Sequence, residues 1–273
     1  MSAVFALLAS LTYGVADFLG GVAGRRVSTA ALVLWTQLVG LLLSAAASLA
    51  FPATAVVARD VVWGALAGLG GLVGIFALYR GLAFGRMAVV SPLAGLLSAV
   101  IPLGVGVGMG ERPLRLEWVG IGLALPAIWL VAASGEVEPG EGGVSLGLVA
   151  GVGFGFFFAA LAQAGDSAGF WPLVAARSAS VSFLAVMGLR RREPLPPAET
   201  RLLILLVGIG DALANVFLLL AYRSGLLSLV SVLASLYPAV TVLLAVRVLK
   251  EPLGRHQLAG LVLAVIAVAL IAI

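Results

Sequence analysis

The chain has 273 residues, of which 62% are hydrophobic and 10% are charged, and its mean hydropathy is +1.20. A soluble core does not need so much apolar surface, whereas helices that face lipid do, so the composition predicts an integral membrane protein. The absence of cysteine excludes disulfide frameworks and thiolate metal sites, and the single histidine, His256, excludes metal sites built from several histidines. The net charge of +4 fits loop-end arginines at a bilayer surface better than a nucleic-acid partner.

Ten apolar stretches follow one another along the chain, and each is long enough to cross roughly 30 Å of hydrocarbon as a helix. They cover about residues 3–22, 29–51, 61–79, 87–109, 116–133, 144–164, 170–189, 202–222, 226–249 and 256–273. The turns between them are too short for a soluble domain. The first stretch lacks a basic start and carries Asp17, unlike a cleaved signal peptide. We therefore predict an all-α protein with ten transmembrane helices in the cell membrane.

The second half of the chain repeats part of the first. Residues 61–133 and 201–273 align without a gap and are identical at 21 of 73 positions. A polar segment that starts at Ser134 separates five apolar stretches from the next five. An odd number of spans makes the second half enter the membrane from the opposite side. The pattern predicts two inverted repeats, 1–135 and 143–273.

Two matching turns follow the fourth and ninth stretches, with the pattern E-x3-R-x4-G from Glu111 to Gly120 and from Glu251 to Gly260. The first stretch contains LTYGVADFLGG, which starts at Leu11. With the ten spans and the inverted repeat, these features resemble the EamA-type branch of the drug/metabolite transporter superfamily. The resemblance implies a central site lined by spans three, four, eight and nine. It also implies a small-molecule substrate, such as an amino acid, a nucleotide sugar or a drug.

Ionisable and polar side chains inside the apolar stretches point to a central site. A carboxylate near the bilayer centre costs at least ~2.5 kcal/mol, so it needs a partner or a wet cavity. Asp211 and Asn215 share one helix face, and their repeat partners are Gly71 and Ile75, so the polar pair exists in one half only. The predicted cavity residues are Tyr13, Asp17, Gln37, Arg177, Asp211 and Asn215. The alternative is an ion pair of Arg177 with Asp211 or Asp17 that only fixes helix packing.

Prolines predict further site elements, because each frees a backbone carbonyl. Helix breaks are expected at Pro92, Pro102 and Pro238. The polar residues Ser91, Ser231 and Tyr237 lie near them, and the rings of Trp35 and Tyr79 are candidates to stack on a ligand. Glu111 is expected to lie against the positive end of the helix that follows it and to pair with Arg115.

Loop charges give an orientation that conflicts with the resemblance. The odd-numbered loops carry ten basic residues and the even-numbered loops carry four, Arg59, Arg112, Arg115 and Arg223. The positive-inside rule then places both termini outside the cell, whereas the resemblance implies cytoplasmic termini.

The sequence contains no catalytic set and no GxxxxGK[ST] phosphate loop, so we expect neither an enzyme nor direct ATP drive. We predict a secondary transporter that works by alternating access, without cofactor or metal, with protons as a candidate coupling ion and as a monomer or homodimer. The alternative function is a lipid flippase or a channel-like membrane protein.

Overall fold

The computed structural model describes residues 1–84, 87–132, 143–188, 195–250 and 254–272, and all regular structure in these ranges is helical. The helices of the first half are α1 (Ser2–Gly24), α2 (Thr29–Ala50), α3 (Ala58–Phe84), α4 (Met87–Gly108) and α5 (Arg115–Ala132). Those of the second half are α6 (Gly143–Leu161), α7 (Trp171–Gly188), α8 (Ala198–Tyr222), α9 (Leu227–Ala234), α10 (Tyr237–Val248) and α11 (Arg255–Ala272). One turn of 3-10 helix, Asp166–Ala168, precedes α7.

Seven helical stretches among the described residues are long and apolar enough to cross a membrane. They are α1, α2, α3, α4 from Val90, α6, α8, and α9 together with α10. Shorter apolar helices lie at Trp171–Met187 and Leu258–Ile271. The prediction of an all-helical, multi-pass membrane protein is confirmed. Each of the ten predicted stretches overlaps a helix, but only seven of these helical stretches are long and apolar enough to cross a membrane.

The strongest contacts between helices occur in matching pairs, so that each has a counterpart when the helices of the two halves are exchanged. α1 packs on α8 as α6 packs on α3, and α2 packs on α8 as α7 packs on α3. α4 packs on α6 as α9 and α10 pack on α1, while α5 and α11 pack on each other. Glycine permits the closest of these approaches: a Cβ on Gly68 would collide with the Ala176 carbonyl, and one on Gly208 would crowd the Thr36 carbonyl.

The ninth predicted span is broken into two helices. α9 ends at Ala234, and Ser235 and Leu236 form a turn before α10. Pro238 has no N–H to donate back to Ala234, which explains why the helix stops there. The expected breaks at Pro92 and Pro102 are wrong, because α4 runs through both prolines as one helix. Neighbouring helices support α4, as where Gly95 packs against the Pro238 ring.

The buried apolar side chains form two clusters. One contains Ala6, Leu161 and Leu218, from the start of α1 and the ends of α6 and α8. The other contains Leu82, near the end of α3, and Ala150, in the first half of α6. Most of the polar residues predicted for the site lie along the helices between these two clusters.

Candidate functional site

An enclosed cavity lies between the two halves of the molecule. Its walls come from α1, α2 and α3 of the first half and from α6, α7, α8 and α10 of the second. It offers about 40 Å³ to the centres of water molecules, which is room for about three waters. The cavity is therefore closed around a polar centre in this structure.

An ion pair crosses one wall of the cavity. Arg177 Nη2 lies 2.5 Å from Asp211 Oδ2, and Arg177 Nη1 donates to Gln37 Oε1 at 2.7 Å. Arg177 is 7% exposed and Asp211 is 9% exposed. A buried charge is stable only when it is paired and hydrogen-bonded, and this arginine is both.

Asn215 completes the polar group on α8. Its Nδ2 donates to the Asp211 backbone carbonyl at 2.7 Å and to Asp211 Oδ1 at 3.3 Å. Both partners are acceptors, so the amide cannot be reversed. Its Oδ1 is buried and has no partner among the described residues. Asn215 therefore offers a free acceptor on this wall.

Asp17 is the exception in this polar group. Its carboxylate lines the cavity and is 4% exposed, and it makes no hydrogen bond or ion pair with any described residue. With both acids ionised, Asp17 and Asp211 face one cation, Arg177, so the cavity carries one uncompensated negative charge.

Aromatic rings surround these charges. The ring centroid of Tyr13 lies 6.2 Å from that of Phe158 and 6.2 Å from that of Tyr237. The Tyr13 hydroxyl is buried and has no partner among the described residues. The rings make most of the surface around the polar centre apolar.

The opposite wall lacks the charges. Gly71 lies 140 positions before Asp211, and a Cβ on it would lie 3.0 Å from the Phe157 ring. In α1 and α6 the halves match at 141 positions, because Gly14 packs on the Tyr237 carbonyl as Gly155 packs on the Leu97 carbonyl. Asp17 is therefore matched by Phe158, so neither carboxylate has a charged counterpart in the other half.

Glu111 binds a different helix from the one that the sequence predicts. Its carboxylate accepts from the backbone N–H groups of Leu227 at 2.6 Å and Ser228 at 2.9 Å, at the positive end of α9 in the other half. The start of α5 is held instead by Glu117, which accepts from Leu114 N at 2.5 Å. The matching Glu251 lies outside the described residues.

Further bonds join the two halves on the same face. We call this face, formed by residues 51–57, 109–114, 162–170 and 223–226, the even-loop face. Thr54 N and Ala55 N donate to the Ser167 carbonyl at 3.0 and 3.2 Å, and Gly165 N donates to Asp60 Oδ1 at 2.8 Å. Within the second half, Arg223 donates to the Gly169 carbonyl on this face, and partial burial lowers the pKa of its guanidinium from the usual value. This face is closed by bonds between the halves.

Comparison with known proteins finds a family model that matches part of the chain. Residues 141–273, which include the second predicted repeat, 143–273, match the model of the EamA-like transporter family. This part of the chain is EamA-like, in agreement with the resemblance seen in the sequence. One solved crystal structure is similar to this EamA-like protein, with a TM-score of 0.75 and 18% sequence identity. The similarity covers 98% of this chain and 95% of the solved chain. At this identity the similarity shows the fold alone. No curated protein matches the sequence.

The structure places seven of the predicted binding residues of this EamA-like protein in the cavity wall: Tyr13, Asp17, Gln37, Arg177, Asp211, Asn215 and Tyr237. The other four lie outside it. Tyr79 is fully buried against Gly20, Ser91 is fully buried, and Trp35 packs on an apolar cluster. The Ser231 hydroxyl lies 2.9 Å from that of Tyr222.

Sequence reasoning missed the apolar part of the lining, which includes Phe154, Phe158 and Leu173, and it also missed the polar Ser180. Phenylalanine in an apolar helix carries no signal of its own. The match between the two halves contains one usable sign, because Phe158 is the counterpart of Asp17. The described residues hold no cluster of three His, Asp or Glu that suits a metal ion.

Proposed function

We propose that this EamA-like protein is a secondary transporter that carries a small metabolite across the cell membrane by alternating access. The observation that supports this most is the enclosed polar cavity between the two halves. Intramembrane charges that face a cavity mark substrate or ion pathways in membrane proteins. A purely structural ion pair would explain Arg177 and Asp211 but would leave Asp17 buried without a partner.

The proposal includes ten spans arranged as two inverted repeats. Gln37 and Arg177 occupy matched positions in the two halves, 140 residues apart, and they touch each other. Residues at matched positions meet only at the axis that relates the halves, so this contact and the exchangeable helix pairing both support a pseudo-two-fold axis. The axis would pass beside the cavity, where transporters built from inverted repeats bind their substrates.

Alternating access would start from a state closed on the even-loop face. Glu111 and Asp60 of the first half hold backbone N–H groups of the second half on that face. The cavity has room for only about three water molecules in this structure, which is too little for a metabolite. Substrate would therefore enter only when the halves rock apart, and on the even-loop face this motion must break these bonds.

Protons are the proposed coupling ion, and Asp17 is the better carrier of the two cavity acids. Asp211 is paired with Arg177, whereas Asp17 has no cationic partner among the described residues, so a proton can neutralise Asp17 without breaking an ion pair. The charged and titratable groups around it are Asp211 of α8, Arg177 of α7, Tyr13 of α1, Tyr79 of α3 and Tyr237 of α10. Asp17→Asn should remove the dependence of flux on a pH gradient, and Asp211→Asn should reduce it less. The reverse order would assign the proton to Asp211.

The test of the function is transport in liposomes. The purified full chain is reconstituted, and uptake from a mixed metabolite panel is measured by mass spectrometry with and without an imposed pH gradient. Selective accumulation of one compound class supports a transporter. A folded protein that moves no solute beyond empty liposomes, but moves a fluorescent phospholipid between leaflets, would replace the proposal with lipid flipping.

A further inference from the structure

We propose that the cavity selects a small organic ammonium ion with an aromatic or aliphatic body, and that Asp17 binds the ammonium group. This inference rests on the proposed transport function and names the substrate class of the same cavity. It follows from the charges, hydrogen-bonding groups and rings that line the cavity.

The charge balance favours a cation. Arg177 already has an anionic partner in Asp211 and a neutral one in Gln37. Asp17 is only 4% exposed and has no partner of either kind among the described residues. A buried carboxylate without a partner is costly, and a bound cation would remove that cost. An anionic ligand would instead add a second uncompensated charge, or would have to displace Asp211 from Arg177.

Two of the unused hydrogen-bonding groups only accept, and the unpartnered Tyr13 hydroxyl can accept as well as donate, so a donor ligand suits all three. Asp17 offers only acceptor oxygens, and Asn215 Oδ1 is an acceptor without a partner among the described residues. The Asn215 amide cannot turn its Nδ2 toward the cavity, because that nitrogen serves two acceptors of Asp211. An ammonium group carries several N–H donors and fits this set, whereas a carboxylate carries none.

The rest of the lining suits the body of such an ion. The rings of Tyr13, Phe158 and Tyr237 lie together beside the polar residues. The negative face of an aromatic ring attracts a cation. Phe157 and Leu173 extend the apolar surface. The wall from the second half has Phe158 where the first half has Asp17, so charge recognition and apolar contact are divided between the two walls.

The test compares four ligands that share a phenyl ring and differ in their polar end group. Binding of 2-phenylethylammonium, phenylacetate, phenylalanine and 2-phenylethanol to the detergent-solubilised full chain is measured by isothermal titration calorimetry at neutral pH. We expect the ammonium ion to bind at least tenfold more tightly than the others. Asp17→Asn should weaken its binding by about 10- to 100-fold, the loss typical of a charged hydrogen bond. Asp166→Asn makes the same chemical change on the exposed 3-10 turn and should leave binding unchanged.

The ligand series needs only the unmodified protein, so the test survives if Asp17→Asn does not fold. Tighter binding of phenylacetate or phenylalanine, or unchanged ammonium binding by a folded Asp17→Asn variant, would overturn the substrate class while transport by the cavity stands. If no ammonium ion binds but the liposome panel reports flux of another solute, this inference fails alone. If no solute moves at all, the proposed transport fails with it.

Discussion

Breaking the Arg177–Asp211 pair should destabilise the protein far more than removing it. The side chains are 9% and 12% exposed and lie 2.5 Å apart. At an effective dielectric constant of 20, their attraction is about 7 kcal/mol before desolvation is subtracted. Removing one partner of such a buried pair typically costs about 3–5 kcal/mol, whereas removing both leaves no unpaired charge of the pair. Arg177→Met and Asp211→Asn should each be costly, and the double variant should cost less than either single variant, which requires a coupling of at least ~3 kcal/mol.

The assay is unfolding in mixed micelles with increasing dodecyl sulfate, followed by the fluorescence of the five tryptophans. The control cycle combines Arg177→Met with Glu199→Gln, an exposed acid in the first turn of α8, and should be additive. Additivity within ~0.5 kcal/mol in the Arg177–Asp211 cycle would refute the reasoning, because it would mean that the two side chains do not depend on each other for burial.

Two further predictions concern the motion of the halves, and both use the absence of native cysteine. Glu111→Gln weakens a cap worth about 1 kcal/mol and should raise maleimide labelling of Ser180→Cys in the cavity about fivefold. The control, Glu117→Gln, loosens only the start of α5 and should leave labelling unchanged. Equal labelling in the two variants would show that Glu111 does not close the even-loop face. The Ser98 and Ser235 hydroxyls, one from each half, lie 3.0 Å apart. In the double variant Ser98→Cys/Ser235→Cys, oxidation should form a disulfide between the halves and abolish flux, and reduction should restore it. Full flux in the cross-linked protein would contradict rocking at this contact.

The sequence predicts the helices well because their signal is local. A long apolar run is enough to place α1, α2 or α8, and Pro238 is enough to place the break after α9. The same proline signal fails at Pro102, because continuity of a helix depends on neighbours that the local sequence does not reveal. Glu111 fails for the same reason, since its partners at Leu227 and Ser228 are more than a hundred residues away.

The site is predictable where it is polar and hidden where it is apolar. Asp17, Arg177 and Asp211 stand out because a charge in an apolar helix is costly, and all three line the cavity. Tyr79 carries a similar but weaker signal and points into a packed core, because one hydroxyl on a large ring can be buried at modest cost. Phe154 differs in no visible way from phenylalanines that face lipid, so only the folded chain reveals its place.

The contact between Gln37 and Arg177 bears on how such a chain can arise. If two identical five-helix copies associated, each side chain at this position would face its own duplicate. Two arginines there would repel each other in a medium that screens charge poorly, and two glutamines would bring no charge at all. A single positive charge on the proposed symmetry axis therefore requires halves that differ in sequence. If the chain arose by duplication and fusion of one such copy, only the fused form allows a lone arginine and its aspartate.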